Sequence, residues 1–355
     1  MDFTHQSVPS RVIFGAGASQ KVADELDRLG IARAIVVTTP SRGDMAGQFA
    51  RLIGGRAGIV YPGAQPNTPF QVTEAALTAV SSVQADGILA IGGGTAIGMA
   101  KMIALRTDLP QVIVPTTFSG SEMSPSQAEL ERGVKVRHRS DRILPETVIY
   151  DPELVRALPA HVAGPSGLNG MAHAIEALYA GNGNPLVSAI AEESVRAFGA
   201  SLPKIAAGSP ADADWELALR GAWLAGSTLA MVSMGVHHKI CHALAGMFFE
   251  LTHADMHSIM LPYTIGAGLA AVPDAQLRAA RALGSDDVPG AVYALMAKAV
   301  ERPSLKQMGL TRAALDKVAD AAVEGGPYDK SQPVTRDAIL AMLVAAYEGE
   351  RPAAR

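Results

Sequence analysis

Five of the chain's nine histidines, His237, His238, His242, His253 and His257, fall in one stretch otherwise composed mostly of Ala, Leu, Met, Gly and Phe. Neutral imidazoles bind transition metals, and imidazoles move protons near neutral pH, so their crowding in an apolar segment points to one of these chemistries. The spacing sharpens the reading. His238 and His242 are four apart, as are His253 and His257, and upstream Asn169 and His173 repeat the interval. Four residues is about one helical turn, which places each pair on a single helix face. Helices that turn such pairs inward build metal or proton-transfer sites within helical bundles. A lone buried histidine is ordinarily a hydrogen-bonded core residue; three pairs at one interval ask for more than packing. Cys241, the single cysteine, excludes an internal disulfide and any multi-cysteine metal pattern. Between His238 and His242 it reads as a small buried hydrophobe.

A second chemistry is written earlier in the chain. Ile88 to Ile91 reads as a strand, Gly92-Gly93-Gly94-Thr95 as a tight turn, and Ala96 to Leu105, with Lys101 inside it, as a helix. Consecutive glycines clear side chains from backbone N–H groups, and a helix N-terminus adds partial positive charge, so the turn suits a pyrophosphate. Thr95 adds a hydroxyl. The pattern is neither G-x-G-x-x-G, because Ile97 stands where the last glycine belongs, nor a P-loop, because no Gly-Lys-Ser/Thr follows. Thr116, Thr117, Phe118 and Ser119 follow the next predicted strand and place further hydroxyls at a strand's carboxyl end.

Positioning these groups calls for two kinds of element. At 355 residues the chain exceeds the usual single core, and its texture changes after Asp151-Pro152. In the first part, Arg11–Gly15, Ala34–Thr38, Gly58–Tyr61, Gly87–Ile91, Gln111–Pro115 and Thr147–Tyr150 read as strands. Between them lie helical patterns such as Ser19–Leu29, with Ser19 as N-cap and Gly30 as stop, and Thr73–Val83. That alternation predicts a mainly parallel sheet with helices on both faces, binding its ligand beyond the strands' carboxyl ends. The second part reads as nearly all helix, broken at Pro185, Pro203, Pro210, Pro262, Pro289 and Pro303, with a loop over Gly325–Pro333, a last helix over Arg336–Glu348 and a frayed tail from Gly349. The expected division is a dinucleotide-binding α/β domain over residues 1–157 and an all-α catalytic domain over 158–355.

Composition narrows the partners. A formal charge of −4 leaves no basic face for nucleic acid. The N-terminus lacks the basic and apolar regions of a signal peptide. The longest uncharged apolar run, Gly221–Val236, is short for a membrane span and is expected to be a buried helix. A cytoplasmic protein without a nucleic-acid or membrane partner is expected.

Taken in order, several motifs resemble the iron-containing (group III) alcohol dehydrogenase superfamily and, within it, the maleylacetate reductases. They are Arg11-Val12-Ile13-Phe14-Gly15-Ala16-Gly17, Gly92-Gly93-Gly94-Thr95 with Gly98 and Lys101, Pro115-Thr116-Thr117 with Gly120-Ser121-Glu122-Met123, and Leu144-Pro145 with Ile149-Tyr150-Asp151-Pro152. Ser166-Gly167-Leu168-Asn169 leading to His173-Ala174-Ile175-Glu176-Ala177, and His237-His238-Lys239-Ile240-Cys241-His242, complete the set. The resemblance implies the dehydroquinate synthase-like architecture, a homodimer, and NADH or NADPH held by Thr38, Thr39, Pro40, Gly92, Gly93, Gly94, Thr95, Thr116, Thr117 and Lys135. Thr39 stands where many metal-dependent relatives carry an Asp that repels a 2′-phosphate, so either dinucleotide is admitted.

Metal-dependent members ligate iron or zinc through an Asp and three histidines. The Asp position falls on Asn169, and His173, His238 and His253 match the histidines. A neutral amide does not offset a cation's charge as a carboxylate does, so four neutral ligands should bind Fe²⁺ or Zn²⁺ more weakly, and the resemblance to the maleylacetate reductases implies that no metal is held. One residue more than the family pattern separates His242 from His253, which leaves His253 and His257 in competition for the third position.

The activity implied is reduction of the C=C bond of maleylacetate to 3-oxoadipate, in aromatic-compound degradation. Asn169, His173, His238, His242 and His253 are the expected catalytic residues, meeting the enolate charge and returning a proton, with His242 first choice as donor. Phe118, Ser119, Lys239 and His257 are the expected contacts for the small dicarboxylate, with Lys135, Arg137 and Arg139 as further cations. Three other readings stay open: a metal-dependent alcohol dehydrogenase with Asn169 as a weak ligand, a dehydroquinate-synthase-like lyase, and a noncatalytic metal-binding module.

Overall fold

The structure, a computed structural model, describes residues 3–7, 10–327, 329 and 334–353. Two compact units form: residues 8–117 with Ser121–Ala157, and Leu158 onward together with the segment up to Ser7 and Phe118–Gly120.

The first unit holds strands β1 (Arg11–Phe14), β2 (Ala34–Val37), β3 (Ala57–Tyr61), β4 (Gly87–Gly92), β5 (Gln111–Pro115), β6 (Ser126–Glu131), β7 (Val134–Arg139) and β8 (Thr147–Tyr150). Its helices are α1 (Val22–Arg28), α2 (Gly43–Ile53), α3 (Phe70–Ser82), α4 (Gly94–Thr107) and the short α5 (Pro152–Val155). Six strands form a parallel sheet in the order β1-β8-β5-β4-β2-β3. They are the six strands expected from β-branched runs, each to within one residue. On one face Leu89, Ile91, Val112, Val114 and Val36 bury against Val22 and Leu26 of α1 and Phe49 and Ile53 of α2. Each such side chain taken from water contributes about 1.5–3 kcal/mol.

β6 and β7 form an antiparallel hairpin that the sequence reading missed. Its turn residues, Arg132 (φ 48°) and Gly133 (φ 81°), are both left-handed, the twist a two-residue hairpin turn needs. Val134-Lys135-Val136-Arg137 does alternate, but four of the six residues of Val134–Arg139 are Lys, Arg or His, so the run lacks the β-branched enrichment from which the other strands were read. Ser19 is also not a cap. It lies in a short 3₁₀ turn before α1, and Asp151 does the capping, accepting from the backbone N–H of Gly17 (3.1 Å) and Ser19 (3.0 Å).

The second unit contains α6 (Ala160–Leu178), α7 (Pro185–Ala206), α8 (Asp212–Met231), α9 (Val236–Met247), α10 (His253–Ala271), α11 (Pro273–Leu283), α12 (Val288–Ala299), α13 (Ala314–Val323) and α14 (Arg336–Glu348), with no strand among its described residues. Two expected breaks are not breaks: Pro203 lies inside α7 and Pro262 inside α10. An interior proline costs roughly 3 kcal/mol through its missing N–H and ring clash. In α10 the burial of Met256, Ile259, Met260, Leu261 and Ile265 overrides that cost. The run Gly221–Val236 is not one helix either, since α8 ends at Met231 and the chain bends 94° into α9. Among the described residues no single helix is long and apolar enough to cross a membrane. Of the expected loop Gly325–Pro333, residues 328 and 330–333 lie outside the described residues.

Candidate active site

The second unit is organised on α6, buried around its whole circumference from Ala163 to Leu178. A helix enclosed on all sides needs close neighbours. A Cβ on Gly167 would meet Leu202 at 2.4 Å, and one on Gly170 would meet the Phe118 carbonyl oxygen at 2.7 Å. Within α6, Asn169, His173 and Glu176 follow at i, i+4 and i+7, so one face carries three buried polar side chains. Asn169 Oδ1 and His173 Nδ1 have no hydrogen-bond partner among the described residues.

α9 lays its histidines against that face. Glu176 Oε1 accepts from the His237 backbone N–H at 2.9 Å, and Oε2 pairs with His238 Nδ1. With Nδ1–H donated to the carboxylate, neutral His238 keeps its lone pair on Nε2, which is buried and without a partner. The His173 and His238 rings stack with centroids 4.8 Å apart.

α10 supplies the rest. Thr264 Oγ1 lies 3.0 Å from the Met260 carbonyl oxygen, 3.1 Å from that of Leu261 and 2.8 Å from His237 Nδ1, while His237 Nε2 lies 2.9 Å from His257 Nδ1. The proton assignment that makes the most bonds has Thr264 donating to a carbonyl, His237 Nδ1–H donating to Thr264, and His257 Nδ1–H donating to His237 Nε2. The reverse polarity makes one bond fewer and strands a buried N–H. His257 therefore turns a lone pair at Nε2 into the cluster, and that atom too has no partner.

Burial keeps these rings uncharged. It depresses His173 and His237 to about 3, with neighbouring imidazoles adding to the effect. His238 and His257 are held well below the ordinary imidazole value for the same reasons. Burial pushes Glu176 up, but the backbone N–H groups of Gly235, His237 and His238 oppose it, and with these donors and His238 Nδ1 on its two oxygens the group is the carboxylate that accepts here. Before substrate arrives the imidazoles are a set of neutral acceptors.

His257 is fully buried, whereas His253 is exposed and His242 half-buried. The His253 and His257 rings approach to 4.3 Å, and those of His242 and His257 to 6.3 Å. One ring nitrogen from each of His242, His253 and His257 lies within 4.8 Å of the others.

In the first unit the glycine turn has the expected form. Gly92 (φ 151°) ends β4, Gly93 is the N-cap of α4 without a side-chain cap bond, and Gly94 begins the helix. A Cβ on Gly93 would meet Thr117 Cγ2 at 2.6 Å, so only glycine keeps this cradle open. The turn lies where the chain reverses direction through the sheet, since β2 runs on to β3 on one side and β4 to β5 on the other. Thr116 N donates to Gly92 O at 2.9 Å, and Thr38 Oγ1 to Ile91 O at 2.8 Å, which makes buried Thr38 a brace between strands. Thr39 and Pro40 lie at the rim of the same strand ends, and Thr117 beside Gly93. Lys101 is buried in α4 and donates to the Ser124 (2.6 Å) and Ser126 (3.2 Å) carbonyls, fixing the segment after Gly120. Lys135 is on β7, where burial lowers it to about 8. Arg137 and Arg139 are exposed on the same strand.

Models of known families match both parts of the chain. Residues 9–152 match the iron-containing alcohol dehydrogenase model, and 164–347 the model described as Fe-containing alcohol dehydrogenase family, C-terminal. The chain belongs to the iron-containing alcohol dehydrogenase family. It is accordingly an oxidoreductase, with that family's parallel-sheet N-terminal domain and helical C-terminal domain. Similar relatives include the maleylacetate reductase of Sphingobium indicum, 42% identical over 99% of each chain, and that of Burkholderia cepacia, 43% identical over 96% of this chain and 97% of the relative. The crystal structure of maleylacetate reductase from a Rhizobium species superimposes with a TM-score of 0.92 at 41% identity, covering 99% of this chain and 100% of that one.

Within this iron-containing alcohol dehydrogenase fold, Asn169, His173, His238, His242, His253 and His257 come together in the second unit. Phe118 is buried there as well, its N–H on Ser166 Oγ at 2.9 Å and its carbonyl against Gly170, next to Asn169; Ser119 is half-buried beside it. Lys239 is placed otherwise. It donates to the Glu324 carbonyl at 2.7 Å and faces α13, away from the imidazoles. Sequence reasoning counted His237 in the crowd of imidazoles without giving it a role, and gave none to Glu176 or Thr264. The one signal for Glu176 was its place at i+3 from His173 and i+7 from Asn169.

Proposed function

We propose that this oxidoreductase reduces the C=C bond of maleylacetate to 3-oxoadipate, with NADH or NADPH as hydride source and without a resident metal, in the cytoplasm. The observation that carries the reading is Asn169. It stands in the ligand position where metal-dependent members carry Asp, and brings no negative charge to a cluster of neutral imidazoles. His173 and His238 belong to none of the His, Cys, Asp or Glu trios whose ligand atoms lie within 4.8 Å of one another among the described residues, which supports a site that works without the family's ion. Identity of 42% over full length with a reductase of that name supports the substrate.

The glycine cradle at Gly92–Gly94, with the free N–H groups of the first turn of α4, suits the dinucleotide's pyrophosphate. Bound there, the dinucleotide would supply hydride to the alkene carbon β to the ketone. Negative charge then develops on the ketone oxygen. Asn169 can offer its amide N–H to that oxygen. His238 and His257 offer lone pairs, so each becomes a donor only after taking up a proton. A dianionic substrate favours that uptake by its own charge. The proton reaches the buried rings through exposed His253 and half-buried His242, which keeps His242 the preferred donor to the enolate carbon.

The test is oxidation of NADH and of NADPH on maleylacetate before and after chelation. The expected result is equal turnover in both states; absence of oxidation, or its loss on chelation, would overturn the proposal. A second reading, a metal-dependent alcohol dehydrogenase, draws on the unpartnered Asn169 Oδ1. Stoichiometric iron or zinc in protein purified without chelator would favour it.

A further inference from the structure

We infer that Arg42, with the hydroxyls of Thr39 and Ser41, receives the 2′-phosphate of NADPH, so that the chain prefers the phosphorylated dinucleotide, a step that rests on the proposed pyrophosphate site at Gly92–Gly94. The sheet fixes where the adenosine half lies. β2 flanks β4 on the side away from β5, and buried Thr38 at its end donates to the Ile91 carbonyl, next to the glycine turn. In sheets of this kind the adenosine ribose meets the strand end beside the phosphate turn; a carboxylate there binds the 2′-hydroxyl, and an arginine takes a 2′-phosphate. The segments after β2 and β3, Thr38-Thr39-Pro40-Ser41-Arg42-Gly43 and Pro62-Gly63-Ala64-Gln65-Pro66-Asn67-Thr68-Pro69, carry no carboxylate. The first acid after β2 is Asp44, exposed in the first turn of α2.

The local structure gathers donors suited to a phosphate. A short 3₁₀ turn over Pro40–Arg42, closed by the Arg42 N–H on the Thr39 carbonyl at 3.0 Å, draws the three residues together. Thr39 Oγ1 and Ser41 Oγ lie 3.2 Å apart. Each hydroxyl carries one rotatable proton, so both can turn to phosphate oxygens. Arg42 is half-buried, and its guanidinium makes no hydrogen bond or ion pair among the described residues. Other arginines of the same unit are committed: Arg28 to Glu25, Arg33 to the Val83 carbonyl and Arg56 to Asp27. Recruiting Arg42 therefore breaks no bond between described residues, and its planar fork matches phosphate oxygens in pairs. NADH brings a neutral hydroxyl to the same place, which leaves the guanidinium to water. The preference is thus a gain for NADPH and no exclusion of NADH.

The test is calorimetric titration of the full chain with NADPH and NADH, and with adenosine 2′,5′-bisphosphate and adenosine 5′-monophosphate, at low and high salt. NADPH should bind about tenfold or more tighter than NADH, the scale of one hydrogen bond to a charged group. The bisphosphate should show the same margin over the monophosphate, and salt should narrow both. Arg42→Gln should remove the margin while NADH affinity stays, which also reports an intact fold; Arg42→Lys should restore part of it. Equal wild-type affinities, a margin that survives Arg42→Gln, or equal loss of both dinucleotides in that variant overturns the assignment. Binding of neither dinucleotide would instead remove the cofactor site at Gly92–Gly94, and this assignment with it. None of these readouts depends on turnover of maleylacetate.

Discussion

His257 and His237 share a hydrogen bond of 2.9 Å between Nδ1 of the first and Nε2 of the second, with the rings near perpendicular at 68°. Thr264, 2.8 Å from the far nitrogen of His237, sets the direction of the whole chain because its single proton goes to a helix carbonyl. One hydroxyl thereby fixes which nitrogen of His257 carries the proton and leaves the lone pair on Nε2.

Thr264→Val keeps the shape but leaves the His237 Nδ1–H buried without an acceptor. The expected loss is about 1–3 kcal/mol of stability, read from denaturant midpoints, together with reduced kcat. Thr264→Ser restores both. Wild-type stability and turnover in the valine variant would show that the relay is not formed.

Glu176→Gln puts an amide where the carboxylate meets His238. An amide N–H toward Nδ1 forces the His238 proton to Nε2 and converts the ring from acceptor to donor at the site. Turnover should fall by at least about tenfold, the lower range for loss of a positioned proton-transfer group, while dinucleotide binding measured by fluorescence is unchanged. Equal loss of both would assign Glu176 to folding alone.

Stability should fall steeply in acid. His173 and His237 are held to about 3 when folded, against an ordinary value of 6.5, so through that window the unfolded chain binds more protons than the folded one. Their contribution is complete above 6.5 and is lost as pH falls towards 3. Glu176 acts oppositely: burial raises it above its ordinary 4.5, so its contribution is greatest below 4.5 and is lost as pH rises through its folded value. Denaturant midpoints of wild type and His173→Gln across this range should show a shallower acid slope in the variant; superimposable slopes would contradict the buried neutral ring.

Gly93→Ala places a methyl 2.6 Å from Thr117 Cγ2 and narrows the cradle at the start of α4. NADH and NADPH affinities should both drop by about tenfold or more, equivalent to at least 1.4 kcal/mol of lost binding, with the second unit's histidine chemistry untouched. Unchanged dinucleotide Kd would remove the pyrophosphate from this turn.

Local order was legible in the sequence: six strands of the parallel sheet, the strand–turn–helix at Gly92–Gly94, and the one-turn spacing of the Asn169/His173, His238/His242 and His253/His257 pairs. These features repeat over a few residues, and helix and strand geometry fix which side chains share a face. The β6–β7 hairpin was not read, because its strands are rich in charge and poor in the β-branched runs that marked the other six, and neither was the persistence of α10 through Pro262, which depends on burial. The identity of the working atoms was also out of reach. Glu176 meets His238 across 62 positions of chain, His237 meets Thr264 across 27 and His257 across 20. Only packing of α6, α9 and α10 brings these groups within bonding distance, and only those bonds decide which nitrogen carries the proton. The sequence by itself determined that imidazoles would be paired on helices; the tertiary structure buried His257, left His253 exposed and turned the cluster into a set of oriented lone pairs.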